Sequence, residues 1–93
     1  MKYVISYDIS NDRRRTKLSD LLGKYGVRVN YSVFEVELSE SKLNHLLYEI
    51  ELQKLINKKY DSLRFYHLCE NCVPKSFDVG NRENPFEEQQ MYV

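Results

Sequence analysis

A chain of 93 residues, 42% apolar and 13% aromatic, is one globular domain with a thin core, too short for two domains and too apolar to be disordered. Its 14 lysines and arginines balance 14 acids, so net charge alone draws it to neither nucleic acid nor an anionic surface. No apolar run approaches the roughly 18 residues that cross a bilayer, and no signal-peptide core follows Lys2, so the chain reads as cytosolic, with Cys69 and Cys72 as reduced thiols.

Residues 3–9 alternate as a strand. Tyr3, Ile5, Tyr7 and Ile9 share one face and Val4, Ser6 and Asp8 the other. Ser10 or Asn11 can cap a helix over residues 12–25, whose stripe is Leu18, Leu21, Leu22 and Tyr25, with Gly26 as its C-terminal glycine. Residues 27–38 are rich in β-branched and aromatic residues. Val27, Val29, Tyr31 and Val33 hold one phase and Phe34, Val36 and Leu38 the other, so two strands are expected, with a turn near residues 30–32 and a slip at Val33 and Phe34.

Ser39 opens a second helix with Leu43, Leu46, Leu47 and Ile50 as its stripe, extended by Leu55 or Ile56. Residues 57–61 are a polar connection. Leu63, Phe65 and His67 line one face of the next strand, and His45 falls on a helix surface. A loop over 69–75 leads to a short strand over 76–79, and residues 81–93 read as a polar, partly acidic tail ending in the apolar Met91, Tyr92 and Val93. The domain thus covers residues 1–80. The order βαββαβ is an α+β ferredoxin-like sandwich with both helices on one face of an antiparallel sheet. The other face is left bare, and a second copy packed face to face would cover it. The strand at 76–79 has no place in the basic fold and could extend the partner's sheet edge.

Charge is unevenly distributed. Residues 13–28 carry Arg13, Arg14, Arg15, Lys17, Lys24 and Arg28 against Asp20, whereas from residue 78 onward Asp78, Glu83, Glu87 and Glu88 face Arg82. Three arginines at a helix start oppose its dipole, so helix stability does not explain them; phosphate contact does, as would a merely solvated face. Asp8 is open to two readings. It can end the strand through local hydrogen bonds, or meet its twofold mate and share a cation, for which hard oxygen ligands suit Mg2+ or Mn2+. Phe34 reads as core or dimer packing. Cys69 and Cys72 form one C-x-x-C, half of a structural zinc set, and read as loop thiols.

The run YVISYDIS at residues 3–10, DRRR at 12–15, YGVRVNYSVFE at 25–35, DSLRFY at 61–66 and DVG at 78–80 together resemble the CRISPR-associated protein 2 family over about residues 1–80. The resemblance implies a ferredoxin-like homodimer whose last strand joins the partner's sheet. It implies association with the integrase of the CRISPR-associated protein 1 family and a platform role for duplex DNA during spacer acquisition. It also implies, for some members, magnesium-dependent endonuclease activity on single-stranded RNA or duplex DNA. On that match Asp8 is the metal aspartate, and Tyr7, Arg15, Lys17, Arg28 and Phe34 join it as residues implicated in activity. Arg13, Arg14, Arg15, Lys17 and Arg28 are the nucleic-acid-binding candidates. Lys17 stands where some members have arginine, which keeps charge but loses the bidentate fork. A purely structural DNA adaptor and a toxin-like endoribonuclease on the same fold stay open as alternatives.

Overall fold

The computed structural model describes residues 1–87; Glu88, Met91, Tyr92 and Val93 of the expected tail lie outside them. In chain order stand β1 (Lys2–Asp8), α1 (Asp12–Gly23), β2 (Gly26–Asn30), β3 (Val33–Glu37), α2 (Glu40–Leu52) and β4 (Ser62–Leu68), then a 3-10 turn over Val73–Lys75. The sheet order is β2-β3-β1-β4, antiparallel throughout. This is the expected ferredoxin-like arrangement.

The core follows the alternation of β1. Tyr3, Ile5, Tyr7 and Ile9 are buried, with Phe34, Val36 and Leu38 from the β3 side, Leu18, Leu21 and Leu22 from α1, and Leu46, Ile50 and Leu55 from α2 and its exit. Each fully buried leucine or isoleucine there contributes about 2 kcal/mol relative to exposure. Cross-strand partners keep the phase, since Ile5 sits between Phe34 and Phe65. Leu47, expected in the α2 stripe, is 43% exposed, because Leu46 and Ile50, one turn apart, already fill the sheet-facing side. His67, expected to be packed, is exposed on one side and stacks its other on Tyr3, with ring centroids 4.9 Å apart.

β1 is shifted by one residue, α2 stops at Leu52 short of Leu55 and Ile56, and the region of α1 and β2 differs from expectation for local reasons. α1 ends at Gly23 and is capped by Lys24, whose N–H reaches the carbonyls of Leu21 and Leu22. Gly26 is therefore not a helix-ending glycine; it opens β2. A Cβ there would lie 2.1 Å from the Glu35 carbonyl oxygen, so the glycine permits close strand approach rather than a left-handed turn. The phase slip falls at Val29, the extra residue between the Arg28–Phe34 and Asn30–Val33 pairs, and not at Val33.

The C-terminal region departs further. Residues 76–79 form no strand among the described residues, and Phe77 and Val79 stand 71% and 89% exposed. The outer sheet face is covered in part, beside β3, while Arg64 and Tyr66 of β4 stay exposed on it. Val73 and Phe86 are buried yet lie outside the helix-side core, and the Phe86 N–H donates to the Glu35 carboxylate at 3.0 Å. Glu35 alternates with the inward Phe34 and Val36, so it belongs to the outer face. Residues 81–84 are exposed and polar as expected, while Pro85 is half-buried and Phe86 buried, so the stretch is anchored at Phe86. Phe86 holds φ at 69°, a left-handed conformation that costs a non-glycine residue about 1 kcal/mol or more; its burial and its hydrogen bond offset that cost.

Candidate nucleic-acid interface

The turn from β1 into α1 is organised by Asn11 and Asp61. The Asn11 side chain caps α1 by accepting from the Arg14 N–H at 2.9 Å. Asp61, just before β4, accepts from the Ser10 N–H at 3.1 Å and its hydroxyl at 3.2 Å, from the Asn57 N–H at 2.8 Å, and from the Arg14 guanidinium in a close ion pair. These contacts, the Asn57 N–H foremost and then Arg14 and Ser10, hold the Asp61 carboxyl well below the usual carboxylate range. Arg14 also donates to the Leu55 carbonyl at 3.2 Å. The side chain expected to touch phosphate is instead the bolt between α1 and the α2–β4 connection. A run of polar residues at 57–61 gave no hint of this; only the fold brings Ser10 and Asp61 together, 51 positions apart.

The Asp8 side chain makes no hydrogen bond or ion pair among the described residues and is exposed. Its carboxylate is therefore not needed to end β1 or start α1, which Asn11 and Asp61 accomplish. It lies on the outer face opposite Ser62 of β4. No group of three or more His, Cys, Asp or Glu side chains able to hold a metal occurs among the described residues.

The other expected site residues divide between two places. Arg13 and Lys17, four apart on α1, are both exposed and unpaired among the described residues. Arg15 is half-buried, donating to the Ile9 carbonyl at 3.2 Å and pairing with Asp12. Tyr7, Phe34 and Arg28 instead form a continuous stack on the helix side of the sheet. The rings of Tyr7 and Phe34 lie nearly parallel, 6.3 Å apart. The Arg28 guanidinium sits over Phe34 at 5.6 Å and Tyr31 at 5.8 Å, and donates to the Ser19 hydroxyl of α1 at 2.9 Å. Tyr7 donates its hydroxyl to the Tyr31 carbonyl at 3.4 Å, fixing the β2–β3 turn. Phe34, 2% exposed, is the floor of this stack and reaches no ligand itself. Arg28 and Asp8 are on opposite faces of the sheet.

Cys69 and Cys72 close the turn after β4, with their sulfurs 2.9 Å apart and both exposed. The Cys72 thiol, then the backbone N–H groups of Cys72 and Asn71, hold the Cys69 thiol below its ordinary range; the same contact pushes Cys72 up. No third ligand adjoins them among the described residues.

Known proteins share this architecture and sequence. The family model described as CRISPR associated protein Cas2 matches residues 1–76. The CRISPR-associated endoribonuclease Cas2 3 of Synechocystis sp. is 58% identical over 66 residues, covering 71% of this chain and 70% of its own. CRISPR-associated endoribonuclease Cas2 1 of Chloroflexus aurantiacus is 40% identical and covers 100% of this chain and 99% of its own. Among solved structures, Streptococcus pyogenes Cas2 superposes with a TM-score of 0.71 at 28% identity, covering 86% of this chain and all of that one. A chain of a partial Cas6-RT-Cas1–Cas2 complex superposes at 0.65 with 34% identity, covering 92% of this chain and 96% of that one. No helix among the described residues is long and apolar enough to cross a membrane. The matched family model, the full-length relative and the shared antiparallel sandwich agree: this chain belongs to the CRISPR-associated protein Cas2 family.

Proposed function

We propose that the chain serves CRISPR spacer acquisition as a homodimeric platform that holds duplex DNA beside the integrase of the CRISPR-associated protein 1 family. The observation that carries this is the α1 start. Arg13 and Lys17 are exposed and pair with no anion among the described residues, while the neighbouring Arg14 and Arg15 are engaged. Arg13, unpaired in the first turn of α1, is electrostatically unfavourable there alone, and phosphates contacting it and Lys17 would relieve that. The similarity to a chain of a Cas1–Cas2 complex supports the integrase as partner. Binding of this kind is sequence-blind and falls steeply with salt. A second copy facing the outer sheet surface would bring two Asp8 carboxylates toward one axis and offer the exposed Phe77 and Val79 a sheet edge.

Hydrolysis is the second reading, favoured by the unengaged Asp8 carboxylate and by relatives named endoribonucleases. One hard carboxylate per chain fits Mg2+ or Mn2+ only where a second copy or the substrate phosphates complete the set. A cation bound there would activate water and polarise a phosphoryl oxygen. Asp8 would hold it, and Arg13 and Lys17 would orient the phosphate backbone. Arg15 would keep the β1–α1 turn in shape through Ile9. Arg28 would act on the helix side, away from its own Asp8.

Cleavage of labelled duplex DNA and single-stranded RNA with Mg2+, comparing wild type with Asp8→Ala purified identically, separates the readings. The hydrolytic reading expects cleavage to fall about a hundredfold or more with DNA affinity retained. Equal cleavage by both proteins removes Asp8 as the catalytic residue and leaves the platform. Absence of duplex binding by wild type at low salt removes the platform.

A further inference from the structure

The α2–β4 connection carries Lys54, Lys58 and Lys59 with the exposed Tyr60, and no part of the site described so far uses them. Asp61, the single acid in residues 53–61, has its charge answered internally by Arg14 and by three further hydrogen bonds. The three lysines are exposed, and Glu51, three positions before Lys54, is the nearest other acid in sequence. None makes an ion pair among the described residues; Lys59 lies over the Tyr60 ring at 5.4 Å. The same Arg14 and Asp61 contacts, with the Leu55 carbonyl bonded to Arg14, clamp this connection against the start of α1. Lys54, Lys58 and Lys59 are thus brought to the end of the sandwich that already presents Arg13 and Lys17, five cations from two segments about 40 positions apart. Ser62, next to Asp61, pairs with Asp8, so this is also the sheet end that carries the Asp8 carboxylate.

We infer that the lysines of the α2–β4 connection are a second phosphate-contacting strip, continuing the track of Arg13 and Lys17 along the backbone of bound duplex DNA. This rests on the platform reading and specifies where the duplex runs. Lysine suits the task as a mobile point charge that needs no base-specific geometry. Tyr60, 68% exposed beneath a lysine, is placed to pack against sugar or to hold Lys59 forward. Lys54 supplies an independent probe. It ends α2 with φ at 53°, and the bonds from its N–H to the Glu51 carbonyl and from the Leu55 N–H to the Ile50 carbonyl complete a helix C-terminal motif that ordinarily uses glycine. Lys54→Gly therefore removes the charge while relieving backbone strain.

The test is fluorescence anisotropy of the full chain on a labelled duplex of about 30 base pairs across a salt series, with thermal melting of each variant. Lys58→Gln combined with Lys59→Gln is expected to reduce the steepness of log K against log salt by about 2 where the duplex crosses one copy's strip and by about 4 where it crosses both, since each neutralised phosphate contributes about 0.9. Lys54→Gly should weaken binding severalfold with its Tm unchanged or raised, which excludes unfolding as the cause. Lys42→Gln is the charge-matched control, about 18 Å away at the other end of α2, and should bind like wild type. Unchanged affinity and salt slope in the Lys58, Lys59 and Lys54 variants, while Arg13→Gln and Lys17→Gln still weaken binding, would overturn this strip and leave the platform reading intact. Equal weakening by Lys42→Gln would also overturn it, showing a net-charge effect. Failure of wild type to bind the duplex at low salt would instead remove the platform reading on which it stands.

Discussion

At Gly26 the missing side chain is a requirement of strand approach. The neighbouring strand's backbone occupies the space of a Cβ, with the Glu35 oxygen at 2.1 Å and the Val36 Cα at 2.8 Å. Gly26→Ala is therefore expected to destabilise by about 2–3 kcal/mol, through a backbone shift no rotamer can relieve, and to lower Tm by roughly 10 °C or more in a domain this size. A melt within a degree or two of wild type would show that β2 can move aside. At the C-x-x-C, the lowered Cys69 thiol is the better nucleophile at mildly alkaline pH, because the Cys72 thiol and nearby backbone N–H groups stabilise its thiolate. Iodoacetamide at low dose should label Cys69 first, read by peptide mass spectrometry; equal labelling would remove the asymmetry. The chemistry of both residues was unreadable in sequence, where Gly26 looked like a helix stop and the cysteines like two equivalent thiols.

At the scale of elements, Asp61 joins β4, α1 and the end of α2. Its folded carboxyl titrates below the unfolded value of about 3.9. The stability it contributes is therefore fully present above about pH 4 and is lost as pH falls toward the folded value, because the unfolded chain then takes up a proton the folded chain refuses. Asp61→Asn is expected to lower Tm by more than about 5 °C at pH 7. It should also flatten the fall of Tm between about pH 5 and pH 2 relative to wild type. A variant whose acid profile parallels wild type would show that other carboxylates govern acid unfolding. The existence of each main element was legible from period and capping, since Asn11 and Ser39 both cap the helices they precede. The ends were not, because Lys24 and Lys54 terminate their helices without glycine and leave no sequence signature.

For the whole molecule, the disposition of residues 73–87 matters most. Phe86 is buried beside Glu35 of the outer face and Val73 is also buried, yet the segment between them is mostly exposed loop. Such a segment opens locally at far lower cost than the domain unfolds. Phe86→Ala should accelerate trypsin cleavage at Arg82 by about tenfold or more, since a buried phenylalanine contributes several kcal/mol to its own docking. The helix-side core, which it does not join, should melt nearly as before. Unchanged cleavage would mean that Phe86 does not hold the segment down.

The hydrophobic alternation of β1, the two helix stripes and the cross-strand aromatic pattern determined the βαββαβ order by themselves, because burial of one face is a period written directly into the chain. Asp8 and the cations of α1 were likewise visible, since residue type and position on an element suffice to name them. What only the tertiary structure decided is which charges are engaged. Arg14 answers Asp61, Arg15 answers Asp12, and Arg28 stacks on Phe34 on the face away from Asp8. It also moved Lys54, Lys58 and Lys59 from an unremarked loop to the neighbourhood of α1. A charge pairs with whatever the fold brings within a few ångströms, and for Arg14 that partner lies 47 positions away, a separation over which local sequence carries no periodic signal.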